Sequence, residues 1–124
     1  ELITTSDIPS GIRDILDLID TYHTPVYLVG FTPGYTLNAA YAVSSVQQSD
    51  KARVVGLAET AEALQYVADG TIQALFVQDN YDLGKKAVGI MEQLLTEQPV
   101  PDVSQIDVQL VTRENVSDFL ETAS

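Results

Sequence analysis

The chain has 124 residues, enough for one domain with a hydrophobic core, and its content of 45% hydrophobic and 19% charged residues is typical of a globular protein. Its 18 acidic residues outnumber its 6 basic ones, and the net charge of −12 disfavours a nucleic-acid-binding face or docking on an anionic membrane. The lack of cysteine excludes disulfides and thiolate metal sites.

Hydrophobic periodicity predicts alternating strands and helices along the whole chain. Apolar residues spaced i, i+3, i+4 and i+7 predict amphipathic helices, and short continuous apolar runs between turn residues predict buried strands. In chain order, the predicted elements are a strand at residues 2–5, a helix at 12–19, a strand at 26–31, a helix from 33 to near Gln48, a strand at 54–57, a helix at 61–68, a strand at 74–77, a helix at 80–95, a strand at 106–111 and at most a short helix after Arg113.

Turn and capping residues support these boundaries. Thr32 and Thr60 are hydroxyl residues that predict helix starts, because a side-chain oxygen can accept a hydrogen bond from an unpaired amide of the first turn. Gly70 predicts a helix end in the left-handed conformation. Either Asp79 or Asn80 is predicted to cap the longest helix.

The alternation predicts an α/β fold with three layers (αβα), in which helices cover both faces of a mainly parallel open sheet. The apolar run at 26–31 predicts a strand buried on both faces, and the alternating pattern at 106–111 predicts an edge strand. Ligands of such sheets bind beyond the carboxyl ends of the strands. Here those ends are three short polar loops at residues 32–35, 58–60 and 78–81.

Few residues are arranged for catalysis or for a cofactor. The single histidine, His23, lies in a predicted turn at the end of the sheet opposite the strand carboxyl ends, and no G-x-S-x-G motif accompanies it. Neither G-x-G-x-x-G nor a P-loop is present. Asp14, Asp17 and Asp20 lie on a helix face, whereas a calcium site needs a loop that wraps around the ion. The sequence therefore predicts a binding domain without a cofactor or metal, not an enzyme, and a small α/β enzyme is the least favoured alternative.

Uncharged polar side chains at the strand ends suit ligand binding. Gln78 can donate and accept hydrogen bonds at once, as an array of sugar hydroxyls requires, or it can cap the helix that follows. The ring of Tyr35 can stack on a sugar or cover the edge of the core. The residues alone leave both pairs of alternatives open.

Three segments resemble the C-terminal lobe of type I periplasmic sugar-binding proteins, the ribose-binding group in particular. Residues 53–74 carry V-V-G-L-A-E-T and V-A-D-G-T-I-Q-A, residues 77–88 resemble the family segment A-Q-x-P-Y-x-x-G-x-x-A, and residues 111–116 resemble its closing V-T-x-E-N-V. The resemblance is good over residues 53–116 and implies half of a type I periplasmic-binding-protein fold. The effector domains of LacI-type repressors share this fold.

The resemblance implies ligand-binding roles for particular residues. Gln78 falls on the family glutamine that hydrogen-bonds a sugar hydroxyl. The family segment N-D-x-M-A-L-G-A falls on residues 32–39, so Thr32 replaces its asparagine, and Ala58 replaces the aspartate of V-V-G-F-D. Glu59 is a candidate substitute for that carboxylate. Because hydrogen bonds to a carboxylate are strong, these changes predict a ligand other than ribose, or a lobe that no longer binds in the ordinary way.

The resemblance also implies a longer protein. Family members have two lobes that close on a small polar ligand, so this chain is expected to work outside the cytoplasm with an N-terminal lobe and with an ABC permease or a sensor kinase. The alternative is the effector-binding domain of a cytoplasmic LacI-type regulator. In the family, the helix at residues 81–95 packs on the other lobe. Without that lobe, the helix from Tyr81 to Leu95 is expected to fold back on the sheet or to be exchanged in a homodimer, so that its apolar stripe is buried. The stripe consists of Leu83, Ala87, Ile90, Met91, Leu94 and Leu95.

Overall fold

A computed structural model describes residues 8–23, 25–46 and 50–122. Helices and strands alternate along these residues in the predicted order. They are α1 (Ile8–Thr21), β1 (Val26–Gly30), α2 (Pro33–Ser45), β2 (Ala52–Leu57), α3 (Ala61–Asp69), β3 (Ile72–Gln78), α4 (Asn80–Leu95), β4 (Val108–Val111) and α5 (Val116–Thr122). The predicted strand at residues 2–5 and the predicted helix end near Gln48 lie outside the described residues.

The strands form one sheet in the order β1-β2-β3-β4. β1 pairs with β2 in parallel, and β2 pairs with β3 in parallel, which confirms the α/β class and the mainly parallel sheet. β4 lies at the edge, as its alternating sequence predicts. α2 packs against β1 and β2 and also contacts α1 and α3.

The hydrophobic core includes the buried face of α2. Small side chains let this helix approach the sheet closely, and Ala39, Ala40 and Val43 are buried on it. They belong to one hydrophobic cluster with Val54 of β2 and Leu75 of β3. Burial of a valine or leucine side chain contributes about 1.5–3 kcal/mol, so this cluster holds the parallel strands, and with them their loops, in place.

β1 is buried on one side only. Val26 and Gly30 are buried, whereas Tyr27 and Phe31 are 77% and 79% exposed, and Val29 is also exposed. The prediction that this strand is buried on both faces is therefore wrong. Side chains of a strand alternate between the two faces of a sheet, and α2 covers only one of them.

A β-bulge interrupts the pairing of β2 with β3. Val54 pairs with Ile72, but Val55 pairs with Ala74, so Gln73 is an extra residue in β3. The side chain of Gln73 compensates for the interrupted ladder, because its Oε1 accepts a hydrogen bond from the amide of Val54 at 2.5 Å. The bulge is thus closed by a side chain of the strand that contains it.

Residues Gln78–Gln109 form a second compact unit, which contains α4. Asp79 caps α4 by accepting a hydrogen bond from the amide of Asp82 at 2.9 Å. The carboxylate of Asp82 lies 2.7 Å from Nζ of Lys86, which also donates to the carbonyl oxygen of Gln105 at 3.2 Å. The hydrogen bond that Lys86 donates to the carboxylate of Asp82 raises the pKa of Lys86 above its usual value, so this ammonium group stays charged at neutral pH.

The apolar stripe predicted on α4 is exposed. No residue of α4 is buried, and Leu95 is 80% exposed. Met91 and Leu94 of the predicted stripe are also more than half exposed, and so is Val88, which the prediction did not include. Among the described residues, no helix is long and apolar enough to cross a membrane.

Candidate functional site

The carboxyl ends of β1, β2 and β3 lie along one edge of the parallel sheet. Gly30 of β1 pairs with Gly56 of β2, and Leu57 of β2 pairs with Phe76 of β3. Each strand is followed by a short loop and then by the N-terminus of a helix. Open parallel sheets bind ligands at this edge, so we call it the ligand edge.

Thr32 is exposed at the ligand edge and caps α2. Its Oγ1 accepts a hydrogen bond from the amide of Tyr35 at 3.3 Å, and Pro33 occupies the first helical position, as predicted. A hydroxyl that accepts one hydrogen bond keeps its own proton to donate. Thr32 can therefore bind a ligand without giving up the cap. Tyr35 lies in the first turn of α2, and about half of its side chain is exposed.

The buried side chain of Thr36 joins the ends of β1 and β2. Its Oγ1 lies 3.0 Å from the carbonyl oxygen of Leu57, 3.0 Å from that of Thr32 and 3.3 Å from that of Gly30. A Cβ added to Gly30 or Gly56 would overlap this hydroxyl. Sequence reasoning missed Thr36. The signal that could have found it is the pair of glycines Gly30 and Gly56, one near the end of each of two neighbouring strands. A glycine at such a position indicates that another group approaches the strand closely.

The loop after β2 contains Ala58 and Glu59. Ala58 is fully buried and belongs to the hydrophobic core, so its methyl group packs inside and only its backbone can serve a ligand. Glu59 is exposed, and its carboxylate is the ionisable group of this loop. Thr60 caps α3 by accepting a hydrogen bond from the amide of Ala63 at 3.2 Å, as predicted. The ligand-binding roles of Ala58 and Glu59 stay predictions.

Gln78 is the last residue of β3 and is half-buried. The N-cap of α4 is Asp79, so Gln78 does not cap this helix, and that alternative reading is excluded. Among the residues that the structure describes, none hydrogen-bonds the side-chain amide of Gln78. A half-buried amide of this kind has both a donor and an acceptor to offer a ligand. Its role as a ligand residue stays a prediction.

A shallow cavity of about 240 Å³ lies beside the amino ends of β1 and β2 and is lined by Ile19, Asp20, Tyr22, His23, Pro25, Asp50 and Lys51. His23 is exposed there in a bend, as predicted. Within residues 8–23, 25–46 and 50–122, no group of three or more metal-ligating side chains occurs.

Comparison with solved structures identifies similar folds. An ABC transporter solute-binding protein from Agrobacterium vitis, bound with alpha-D-tagatopyranose, is 18% identical with a TM-score of 0.85, and the match covers 94% of this chain and 39% of that one. A carbohydrate transporter solute-binding protein from Agrobacterium radiobacter, in complex with D-arabinose, is 23% identical with a TM-score of 0.82, covering 97% and 41%. A XylFII–LytSN complex gives 17% identity and a TM-score of 0.73, covering 88% and 38%.

These structures share the αβα arrangement of helices around a mainly parallel sheet, which confirms the predicted fold class. The chain spans about two fifths of the length of each of them. No curated protein matches the sequence. A family model described as a periplasmic binding protein domain, however, matches residues 4–99, well over half of the chain. The chain therefore belongs to the periplasmic binding protein domain family.

Proposed function

We propose that this chain is one lobe of a two-lobed, extracytoplasmic solute-binding protein that holds a small sugar-like ligand between its lobes and catalyses no reaction. The observation that carries the proposal is the set of hydroxyl, amide and carboxylate groups at the ligand edge of a fold from this family. The solved structures from Agrobacterium, which hold D-arabinose and alpha-D-tagatopyranose, support the choice of ligand class.

The ligand edge offers the groups that a sugar needs. Thr32 supplies a hydroxyl and Gln78 an amide, and each can both donate and accept hydrogen bonds. The carboxylate of Glu59 accepts charge-assisted hydrogen bonds from sugar hydroxyls. The half-exposed ring of Tyr35 provides a face for the apolar side of a sugar. The backbone of Ala58 contributes a further polar group in the same loop.

The charge of the chain narrows the ligand class. The chain carries a net charge of −12, and the loop after β2 presents a carboxylate at the ligand edge. An anionic ligand would meet repulsion from both. Neutral sugars are therefore favoured over sugar phosphates and sugar acids.

The exposed apolar stripe of α4 is evidence in favour of a second lobe. Val88, Met91, Leu94 and Leu95 form an apolar surface on a helix without a buried residue. The chain spans about two fifths of its solved relatives, so most of the length of such a protein lies outside it. We assign this stripe to the second lobe of the same polypeptide, and closure of the two lobes around a hinge then encloses the ligand. A homodimer of the isolated chain through α4 is the competing outcome.

The closed state is read by a membrane partner, either an ABC permease or a sensor protein. The carbohydrate transporter protein from Agrobacterium radiobacter supports the first, and the XylFII–LytSN complex supports a sensor. Sequence-specific DNA binding by the full-length protein, released or strengthened by a sugar, would replace this proposal with the LacI-type regulator.

Titration of the full-length protein tests the proposal. D-arabinose, D-tagatose, D-glucose and D-galactose are titrated by calorimetry, with glucose 6-phosphate as the anionic probe. At least one neutral sugar is expected to bind, and the phosphate is not. Gln78→Ala is expected to weaken binding about tenfold, equivalent to about 1.4 kcal/mol.

His23→Ala, at the opposite edge of the sheet, is the control and is expected to bind like the wild type. Two results would overturn the proposal. One is the absence of binding by every neutral sugar, and the other is an equal effect of Gln78→Ala and His23→Ala.

A further inference from the structure

Thr36 is a fully buried polar residue at the ligand edge. Its hydroxyl carries one proton and has three backbone carbonyl oxygens within 3.3 Å, those of Gly30, Thr32 and Leu57. The contact with Thr32 is the local one that a helical threonine commonly makes to the carbonyl four residues earlier. The contact with Leu57 is different in kind, because it joins α2 to the end of a strand 21 residues away.

The two strands are shaped to admit this side chain. Gly30 and Gly56 face each other in the parallel register of β1 and β2. A Cβ on either glycine would overlap Oγ1 of Thr36, so both strands leave room for the hydroxyl.

We propose that Thr36 is a positioning residue for the ligand site, a role that rests on the proposed function. Its hydroxyl fixes the loop of Thr32 at the end of β1 against the end of β2, where Leu57 is followed by Ala58 and Glu59. Two loops that carry ligand groups are thereby held at a constant separation before any ligand arrives. A preorganised site binds more tightly because less conformational freedom is lost on binding.

The proton of the hydroxyl, not its volume, does the positioning. Valine has nearly the same shape as threonine but cannot donate to the carbonyl oxygens. Thr36→Val therefore keeps the packing against Gly30 and Gly56 and removes the connection. Thr36→Ser keeps the hydroxyl and loses only a methyl group, so it is expected to restore the connection.

The first measurement needs no ligand. Hydrogen exchange of the amides of Tyr35 and Ala63 reports on the two loops, because these amides bond the cap hydroxyls of Thr32 and Thr60. In the full-length protein, Thr36→Val is expected to accelerate exchange at both amides about tenfold, and Thr36→Ser is expected to stay near the wild type. Val67→Ala, a buried change in α3, is the control for general loss of stability.

The two variants are compared under conditions that give them equal melting temperatures. If exchange at these two amides rises no more in Thr36→Val than in Val67→Ala, the proposal is overturned.

The second measurement is affinity for D-arabinose and D-tagatose, which is expected to fall about tenfold in Thr36→Val and to return in Thr36→Ser. An unchanged affinity in Thr36→Val would overturn the role in binding. If the wild type binds neither sugar nor any other in the panel, the proposed function fails, while the exchange result still decides whether Thr36 positions the loops.

Discussion

Single residues at the ends of β1 and β2 interlock through close contact. Gly30 and Gly56 leave no space for a side chain, because Thr36 fills the position that a Cβ would take. Gly34, in the first turn of α2, has no neighbour within 4 Å of such an atom. Substitution by alanine is therefore expected to disturb the structure at Gly30 and Gly56 but not at Gly34.

Gly56→Ala is expected to lower the free energy of unfolding by about 1–3 kcal/mol, since overpacking forces neighbouring groups to move. Gly34→Ala is the control and is expected to be neutral or to stabilise the chain by up to about 1 kcal/mol, because alanine is the better helix former. Urea denaturation followed by circular dichroism measures both. Equal effects of the two substitutions would contradict the interlock.

The structural role of a residue could be predicted when its contact partner is close in the sequence, and not when the partner is distant. The caps Thr32 and Thr60 act on amides three residues away, so sequence patterns predicted both correctly. Thr36 acts on Leu57 across 21 residues and two elements, and no periodicity contains that contact. Asp79, not Asn80, caps α4, and only geometry could choose between two adjacent capping residues.

At the scale of elements, α4 has two faces of different character. Leu94 belongs to the exposed apolar stripe, whereas Lys85 lies nine positions earlier, on the opposite side of a helix with 3.6 residues per turn. If the second lobe covers the stripe, only one of these positions is buried in the full-length protein. Substitution of each by the same polar residue separates the two faces.

Leu94→Gln is expected to lower the stability of the full-length protein by about 1.5–3 kcal/mol, the value of a buried leucine. Lys85→Gln is expected to change it by less than about 0.5 kcal/mol, as substitutions on an exposed face do. Thermal and urea unfolding measure the difference. A small effect at both positions would show that nothing covers the stripe.

The order and type of the described elements followed from sequence, but the burial of their faces did not. The stripe of α4 and the apolar run of β1 both predict burial, and both are exposed in part. Periodicity states which side chains share a face and cannot state what lies against that face. Whether another element packs against a given face depends on residues that are distant in the sequence or belong to another domain.

At the scale of the whole molecule, charge opposes folding. The net charge of −12 is spread over a small chain, and Asp82 forms a salt bridge with Lys86, one of only 6 basic residues. Like charges repel more strongly in the compact state, and salt screens them over a Debye length of about 10 Å at 0.1 M. Salt is therefore expected to stabilise the native state.

The melting temperature of the chain is expected to rise as NaCl increases from about 0.02 to about 0.5 M, over which the Debye length shortens severalfold. KCl at the same concentrations is the control, because screening depends on ionic strength and not on the identity of the cation. Calorimetry or circular dichroism measures the transition. A melting temperature that is constant or falls with salt would contradict the expectation.

The bulge at Gln73 has a consequence for how the chain can change over generations. It gives β3 an alternation in which Leu75 is buried and Phe76 is exposed. Deletion of Gln73 would remove the extra residue and leave Leu75 paired with Gly56 and Phe76 paired with Leu57, so both would keep their faces. Deletion of a residue between Ala74 and Gln78 would instead turn each side chain beyond it to the opposite face, Gln78 included. β3 is therefore expected to tolerate the loss of a residue at the bulge better than a loss within its regular part, because only the first keeps the faces of the residues that follow.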